Sequence, residues 1–149
     1  MALRLAREKA AAVAATGEAA GAYVIAADTV VAVGRRVLPK TEAEQEARSC
    51  LALLSGRAHR VLTGVAVVAP DGRSASRLSE SRLHFKRLTP AEIDRYVAGG
   101  EWRGKAGGYA IQGAAGAFVT ALQGSYTGVV GLPLYEALGL LEGLGYRRS

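Results

Sequence analysis

The amino-acid sequence predicts a single α/β domain built on a mixed sheet. Segments with helical periodicity and segments with strand-like composition are intermixed along the chain, as in α/β and α+β proteins. The chain has 149 residues, of which 50% are apolar. That length supports one real core but leaves no room for two ordinary domains.

The amino-terminal part alternates a helix with strands. Residues 2–15 contain no Gly or Pro and predict a helix that ends before Gly17. Two apolar runs, 22–27 and 30–33, predict strands on either side of Asp28-Thr29, and Gly34-Arg35 fits a hairpin turn.

The rest of the chain follows the same patterns. Thr41 followed by Glu44 resembles a capping box and predicts a helix over 42–55, with Cys50 on its apolar face. Strands are predicted over 59–69 and 74–87, joined by Pro70-Asp71-Gly72, and a helix capped by Thr89 and ended by Gly99-Gly100 follows them. Brief strands and loops are predicted over 104–131. Pro133 then opens a last helix, which has Leu134, Leu138, Leu141 and Leu144 on one face.

Composition narrows the class of protein. The net charge is +6, but the arginines are scattered and no run of five basic residues occurs, which favours a solvated surface over nucleic-acid binding. No apolar run reaches 18 residues, and the stretch after Met1, with Arg4, Arg7, Glu8 and Lys9, is not the basic n-region followed by an apolar h-region of a signal peptide. We therefore expect a soluble, cytoplasmic protein without a membrane partner. The single cysteine excludes a disulfide framework.

Asp28 is the first candidate for chemistry, because it lies where the apolar run 22–27 ends. Ligands of open α/β sheets bind outside the carboxyl ends of strands. A carboxylate at that place can bind a metal or activate water. The alternative is a turn aspartate that caps its own backbone.

Three lysines and a glutamine are candidates for ligand binding. Lys40 precedes a predicted helix, whose amino-terminal end attracts phosphate, and Lys105 and Gln112 lie among glycines that permit close backbone approach. Gln112 offers both a donor and an acceptor, as a uracil or thymine edge requires. Lys9 lies on the first helix. Solvated lysines and a loop amide bonded to local backbone are the alternatives.

Several ordered motifs make the sequence recognisable. It resembles the Maf-family nucleoside triphosphate pyrophosphatases over nearly all of residues 3–145. The motifs that carry this resemblance are Ala27-Asp28-Thr29-Val30-Val31, Lys40 with Glu46-Ala47, Leu54-Ser55-Gly56 followed by His59, Val61, Thr63 and Gly64, the Lys105 to Gly113 segment, and Gly131-Leu132-Pro133-Leu134.

The resemblance implies a fold, an activity and a site. The fold would be inosine-triphosphatase-like, an elongated mixed sheet flanked by helices, in a homodimer that uses a divalent metal, Mg²⁺ or Mn²⁺. Asp28 would be the proton acceptor or, as the alternative, mainly a metal ligand. Thr29 and Gln112 would select the substrate, and the segment around Lys105 resembles the branch that acts on dTTP and UTP. The lysines matching the family's phosphate cleft are Lys9, Lys40 and Lys105.

The sequence also departs from the family pattern. Members ordinarily begin with a strand and a Ser-x-Ser-x-Arg-Arg loop, which this chain lacks before the helix that starts near Arg4. A truncated start and a short paralogue with impaired catalysis are both open, and either predicts weak turnover and an exposed sheet edge. A non-catalytic nucleotide-binding or cell-division regulatory paralogue is the alternative function. Thr41 replaces the usual proline, and Gly128 replaces a common asparagine and could loosen its loop.

Overall fold

The fold is a five-stranded antiparallel sheet flanked by helices. The computed structural model of the protein describes residues 1–147. The strands are β1 (Val24–Val33), β2 (Arg36–Leu38), β3 (Ala58–Val68), β4 (Ser74–Phe85) and β5 (Val119–Gln123), and they lie in the order β2-β1-β3-β4-β5. The helices are α1 (Ala2–Ala14), α2 (Glu44–Leu54), α3 (Pro90–Gly99), α4 (Tyr126–Val130) and α5 (Leu134–Gly143). The α/β class is confirmed. The four strand pairings within 1–147 are all antiparallel, so this part of the chain contains no parallel pair of the expected mixed sheet.

Helices cover both faces of the sheet. On one face α1 packs its small side chains, Ala6 and Ala10, against Ala66 of β3. On the opposite face α2 contributes Leu51 to a core that includes Phe85, and α5 covers Val65 and its neighbours. Successive residues of β3 therefore point alternately to the cores on the two faces of the sheet, as strand geometry requires.

The prediction of two strands around Asp28-Thr29 was wrong, because β1 is continuous from Val24 to Val33. Asp28 pairs across the sheet with Gly64, and Thr29 pairs with Thr63. Both residues belong to the ladder and do not form a turn. This excludes the interpretation of Asp28 as a turn residue that caps its own backbone.

The predicted start of the second helix was also wrong. Helix α2 begins at Glu44, with Ala43 as its N-cap, and Glu46 Oε1 accepts the backbone N–H groups of Glu42 and Ala43. Thr41 does not cap the helix. Its side chain is fully buried against a distant loop, described below.

The remaining elements largely follow the predictions. The β3–β4 hairpin is confirmed, as is the Thr89 capping box of α3, in which Thr89 Oγ1 accepts from the N–H of Glu92 at 3.1 Å. The apolar face of α5 was predicted only in part. Ala137, Leu140 and Leu144 are buried, whereas Leu134 is 56% exposed, because the helix turns its first residue to solvent.

Strand β1 has a partly open edge. On that side β2 pairs only with Val31–Val33, and no strand within residues 1–147 pairs with the stretch from Val24 to Val30. Asp28 and Thr29 therefore lie beside an open sheet edge. None of the helices within 1–147 has the length and hydropathy needed to cross a bilayer.

Candidate active site

A cleft of about 220 Å³ lies beside the open stretch of β1. It is formed by α1, β1, the Lys40 segment, the loop after Lys105 and the end of α4. It brings together all six residues that the sequence singled out: Lys9, Asp28, Thr29, Lys40, Lys105 and Gln112. All six residues therefore line one cleft, and the role of each is a prediction.

Strand alternation separates Asp28 and Thr29. Successive side chains of a strand point to opposite faces, and directly opposed residues of an antiparallel pair share a face. Asp28 therefore points with Gly64 toward α1, and Thr29 points with Thr63 toward α4. The open edge of β1 lets one cleft reach both faces, so two neighbouring residues can contact different parts of one ligand.

Asp28 is a buried carboxylate with one cationic partner. Lys9 Nζ donates to Asp28 Oδ1 at 2.8 Å, and the aspartate side chain is 7% exposed whereas the lysine side chain is 50% exposed. No donor within residues 1–147 bonds the second oxygen, Oδ2. The pair holds the carboxylate in one orientation while leaving an oxygen for chemistry.

Thr41 holds the segments that carry the other two lysines. Its N–H donates to Lys105 O at 3.0 Å, its carbonyl accepts from Gly104 N at 2.8 Å, and its hydroxyl donates to Trp102 O. Lys40 and Ala106 form a β-bridge immediately beside these bonds. Lys40 and Lys105 are therefore fixed on adjacent backbones. A proline at position 41 would lack both the N–H and the hydroxyl.

The glycine-rich loop after Lys105 packs on β1. Gly107 has φ +70°, and a Cβ there would meet the Val31 side chain at 3.0 Å. Glycine is thus needed for this contact between loop and strand; the sequence had suggested only close approach to a ligand. Tyr96 Oη donates to Gly108 O at 2.8 Å and fixes the loop from the other side.

Tyr109 connects the loop to a buried histidine. Its hydroxyl lies 2.5 Å from His59 Nε2, and both side chains are buried. Burial, with a smaller contribution from His84, lowers the pKa of His59 to about 4, and burial likewise raises the pKa of Tyr109. Both groups are therefore neutral near pH 7 and serve to position the cleft wall.

The cleft suits a polyanion. Its charged lining residues are three lysines and one carboxylate. Lysine is a normal point-charge ligand for phosphate. A larger groove of about 860 Å³ between α1 and the β3–β4 hairpin is lined mainly by alanines and has no carboxylate, so it offers less chemistry.

The cleft does not form a complete metal site by itself. No cluster of three or more His, Cys, Asp or Glu side chains suited to a metal occurs within residues 1–147, and Asp28 is the only carboxylate that lines the cleft. Mg²⁺ commonly binds through one or two carboxylates together with substrate phosphates and water. The residues present therefore fit a cation that arrives with a phosphorylated ligand and takes Asp28 as a ligand.

Fold and cleft together define a class: an α/β protein with a basic, carboxylate-bearing cleft for a phosphorylated ligand. Residues 1–144 match the family described as Maf-like protein. The chain belongs to the Maf-like family.

Three curated relatives are similar to nearly the whole chain. A dTTP/UTP pyrophosphatase of Caulobacter vibrioides is 68% identical over 146 residues, covering 98% of this chain and 75% of that protein. A dTTP/UTP pyrophosphatase of Maricaulis maris is 65% identical over 146 residues, covering 98% and 69%. A dTTP/UTP pyrophosphatase of Hyphomonas neptunium is 65% identical over 148 residues, covering 99% and 75%.

Sequence reasoning missed two residues of the site. Thr41 was interpreted as a helix cap, and Thr63 was noticed only as part of a motif, yet both are buried and bonded to cleft segments. Their small polar side chains at buried positions were the available signal. The partners were not readable, because they lie 61 and 65 residues away along the chain.

Proposed function

We propose that this protein is a nucleoside triphosphate pyrophosphatase that hydrolyses dTTP and UTP to the monophosphate and pyrophosphate. The observation that carries the proposal is the buried Asp28 carboxylate, held by Lys9 in a cleft that Lys40 and Lys105 also line. The names of the similar bacterial proteins support this substrate class.

The proposed reaction is displacement at the α-phosphorus. Asp28 accepts a proton from water while the water oxygen bonds to the α-phosphorus. The bond from that phosphorus to the oxygen bridging the α- and β-phosphates breaks, and pyrophosphate leaves with the electron pair. Lys40 and Lys105 bind the departing pyrophosphate, since fixed cations stabilise charge that develops in the transition state.

A divalent cation, Mg²⁺ or Mn²⁺, would be bound jointly by the triphosphate and Asp28. When bound, it supplies charge neutralisation at the phosphoryl oxygens. Lys9 keeps the Asp28 carboxylate oriented for either task, because Lys9 Nζ donates to Asp28 Oδ1 at 2.8 Å.

Substrate choice would depend on the base end of the cleft. Gln112 and Thr29 both line the cleft, and Thr29 lies on the face of β1 opposite to the Asp28 carboxylate. An amide and a hydroxyl can bond the edge of a pyrimidine ring. The apolar side chains of Val129 and Val130 complete this lining.

Pyrophosphate release from a panel of nucleoside triphosphates tests the function. We expect kcat/KM for dTTP and UTP to exceed that for ATP and GTP by at least about tenfold, because a lost or unpaired hydrogen bond costs about 1–3 kcal/mol. Turnover should require added Mg²⁺ or Mn²⁺. Comparable rates with purines would contradict the substrate assignment, and nucleotide binding without turnover would favour the regulatory alternative.

We also propose a homodimer that uses the surface of α4 and the start of α5. Tyr126, Val130, Leu134 and Tyr135 expose 51%, 45%, 56% and 82% of their surface within ten residues of sequence. A concentration of exposed apolar side chains is typical of an interface. A cytoplasmic location fits both the proposed substrates and the one free, buried thiol, Cys50.

Light scattering after size exclusion tests the dimer. We expect Tyr135→Arg to convert a dimer to a monomer, because a buried unpaired charge is costly. Leu78→Arg is the matched control, since Leu78 is 47% exposed on the β3–β4 hairpin and should leave the mass unchanged. A monomeric wild-type protein at micromolar concentration would contradict the proposal.

A further inference from the structure

Thr63 controls the direction of a hydrogen bond at the cleft. Its side chain is 1% exposed on β3, and its hydroxyl donates to the carbonyl oxygen of Gly128 at 2.7 Å. The Thr63 and Thr29 hydroxyl oxygens lie 3.1 Å apart. A hydroxyl has one proton, and a carbonyl can only accept. The single Thr63 hydroxyl proton is therefore donated to Gly128 O, and Thr29 must be the donor in the contact between the two threonines.

The direction of this hydrogen bond determines what Thr29 can offer to a ligand in the cleft. Because the Thr29 proton points at Thr63, Thr29 Oγ1 presents only lone pairs to the cleft that it lines. Gln112 lines the same cleft, but its amide offers both a donor and an acceptor and can rotate to suit different partners. Thr29 is thus the fixed element of recognition, and Gln112 is the adaptable one.

The acceptor side of this arrangement is firmly held. Gly128 N–H donates to Ser125 Oγ at 2.9 Å, so both backbone groups of Gly128 are bonded. Gly128 is buried at the centre of α4, against β3 and β4. The expectation that glycine at this position could loosen the loop is not met, and the carbonyl that orients Thr63 is fixed.

We propose that Thr63 is a positioning residue that makes Thr29 an obligate hydrogen-bond acceptor and thereby selects bases with a protonated ring nitrogen. Uracil and thymine carry an N–H at position 3 of the ring, whereas cytosine has an unprotonated acceptor there. An acceptor at Thr29 can therefore accept a hydrogen bond from uracil or thymine. With cytosine, the lone pair of the ring nitrogen would face a lone pair of Thr29 Oγ1, and no hydrogen bond would form. This inference rests on the proposed function and specifies its preference for UTP and dTTP over CTP.

The test is Thr63→Val, which keeps the shape of the side chain and removes the hydroxyl. Thr29 is then free to turn its proton toward the cleft. We expect the ratio of kcat/KM for UTP to that for CTP to fall at least about fivefold, since a neutral hydrogen bond contributes about 1 kcal/mol. The change should appear mainly in KM, with kcat for UTP within about threefold of wild type. Thr63→Ser should retain the wild-type ratio, because it restores the hydroxyl.

Calorimetric binding of non-hydrolysable UTP and CTP analogues tests the role of Thr63 separately from the proposed hydrolysis. Wild-type preference for the UTP analogue without any turnover would overturn the proposed function and leave this inference standing. An unchanged UTP-to-CTP ratio in Thr63→Val, with both substrates weakened equally, would show a purely structural role and overturn the inference. Equal affinity of the wild type for both analogues would overturn it as well.

Discussion

Asp28→Asn is expected to reduce pyrophosphate release from dTTP by at least about a hundredfold, because the amide cannot accept the proton that water loses. The substitution keeps the size and planarity of the side chain. Lys9 loses its ionic partner, but its side chain is 50% exposed and can be solvated. The free energy of unfolding should therefore change by no more than about 1 kcal/mol.

The controls for Asp28→Asn separate chemistry from charge. Asp71→Asn removes a carboxylate from the exposed β3–β4 turn, far in sequence from the cleft, and should leave kcat/KM unchanged. Thermal unfolding and circular dichroism of both variants check the fold. If Asp28→Asn keeps more than about a tenth of the wild-type activity, the residue is not the proton acceptor.

A sequence can predict the composition of this site better than its geometry. Asp28, Lys40, Lys105 and Gln112 were identified because residue type, neighbouring elements and family motifs are all local features of the chain. The structure brings them to one cleft. It also pairs Lys9 with Asp28, where the sequence had assigned Lys9 only to the phosphate cleft.

Local patterns failed where a distant partner competes for the same group. Thr41 and Glu44 have the spacing of a capping box, but the Thr41 hydroxyl is bonded to Trp102 O, and the helix takes its cap from Glu46. Such a bond satisfies a buried carbonyl, whereas a cap at an exposed helix end only replaces water. The hydrogen bond to a distant buried carbonyl therefore overrides the local capping-box pattern.

Helix faces show the same limit. The leucine spacing in α5 suggested a stripe that begins at Leu134, yet Ala137 is buried and Leu134 is exposed. A helix so rich in leucine can bury any of several faces, and contact with Val65 and Val67 of β3 determines which face is buried. The periodicity predicted the helix, while its orientation depends on the partner surface.

Gly64→Ala is the second change with a large expected effect, because α1 lies directly on this position. A Cβ at Gly64 would come within 2.6 Å of both Ala2 O and Leu3 Cα, which are backbone atoms that cannot rotate away. Overpacking of this kind costs about 1–3 kcal/mol, and contact with backbone places it at the upper end. We expect Tm to fall by roughly 5–10 °C.

The same displacement should affect catalysis. Gly64 is directly opposite Asp28 in the sheet, and α1 also carries Lys9, so a shift of α1 alters the 2.8 Å contact between Lys9 and Asp28. Gly139→Ala in α5 is the matched control, since no atom lies within 4 Å of its added Cβ. That variant should be unchanged or more stable by up to about 1 kcal/mol, because alanine is the better helix former. Melting curves and dTTP turnover measured on both variants decide the matter: a Tm for Gly64→Ala within about 2 °C of wild type would mean that α1 does not depend on close contact at this strand.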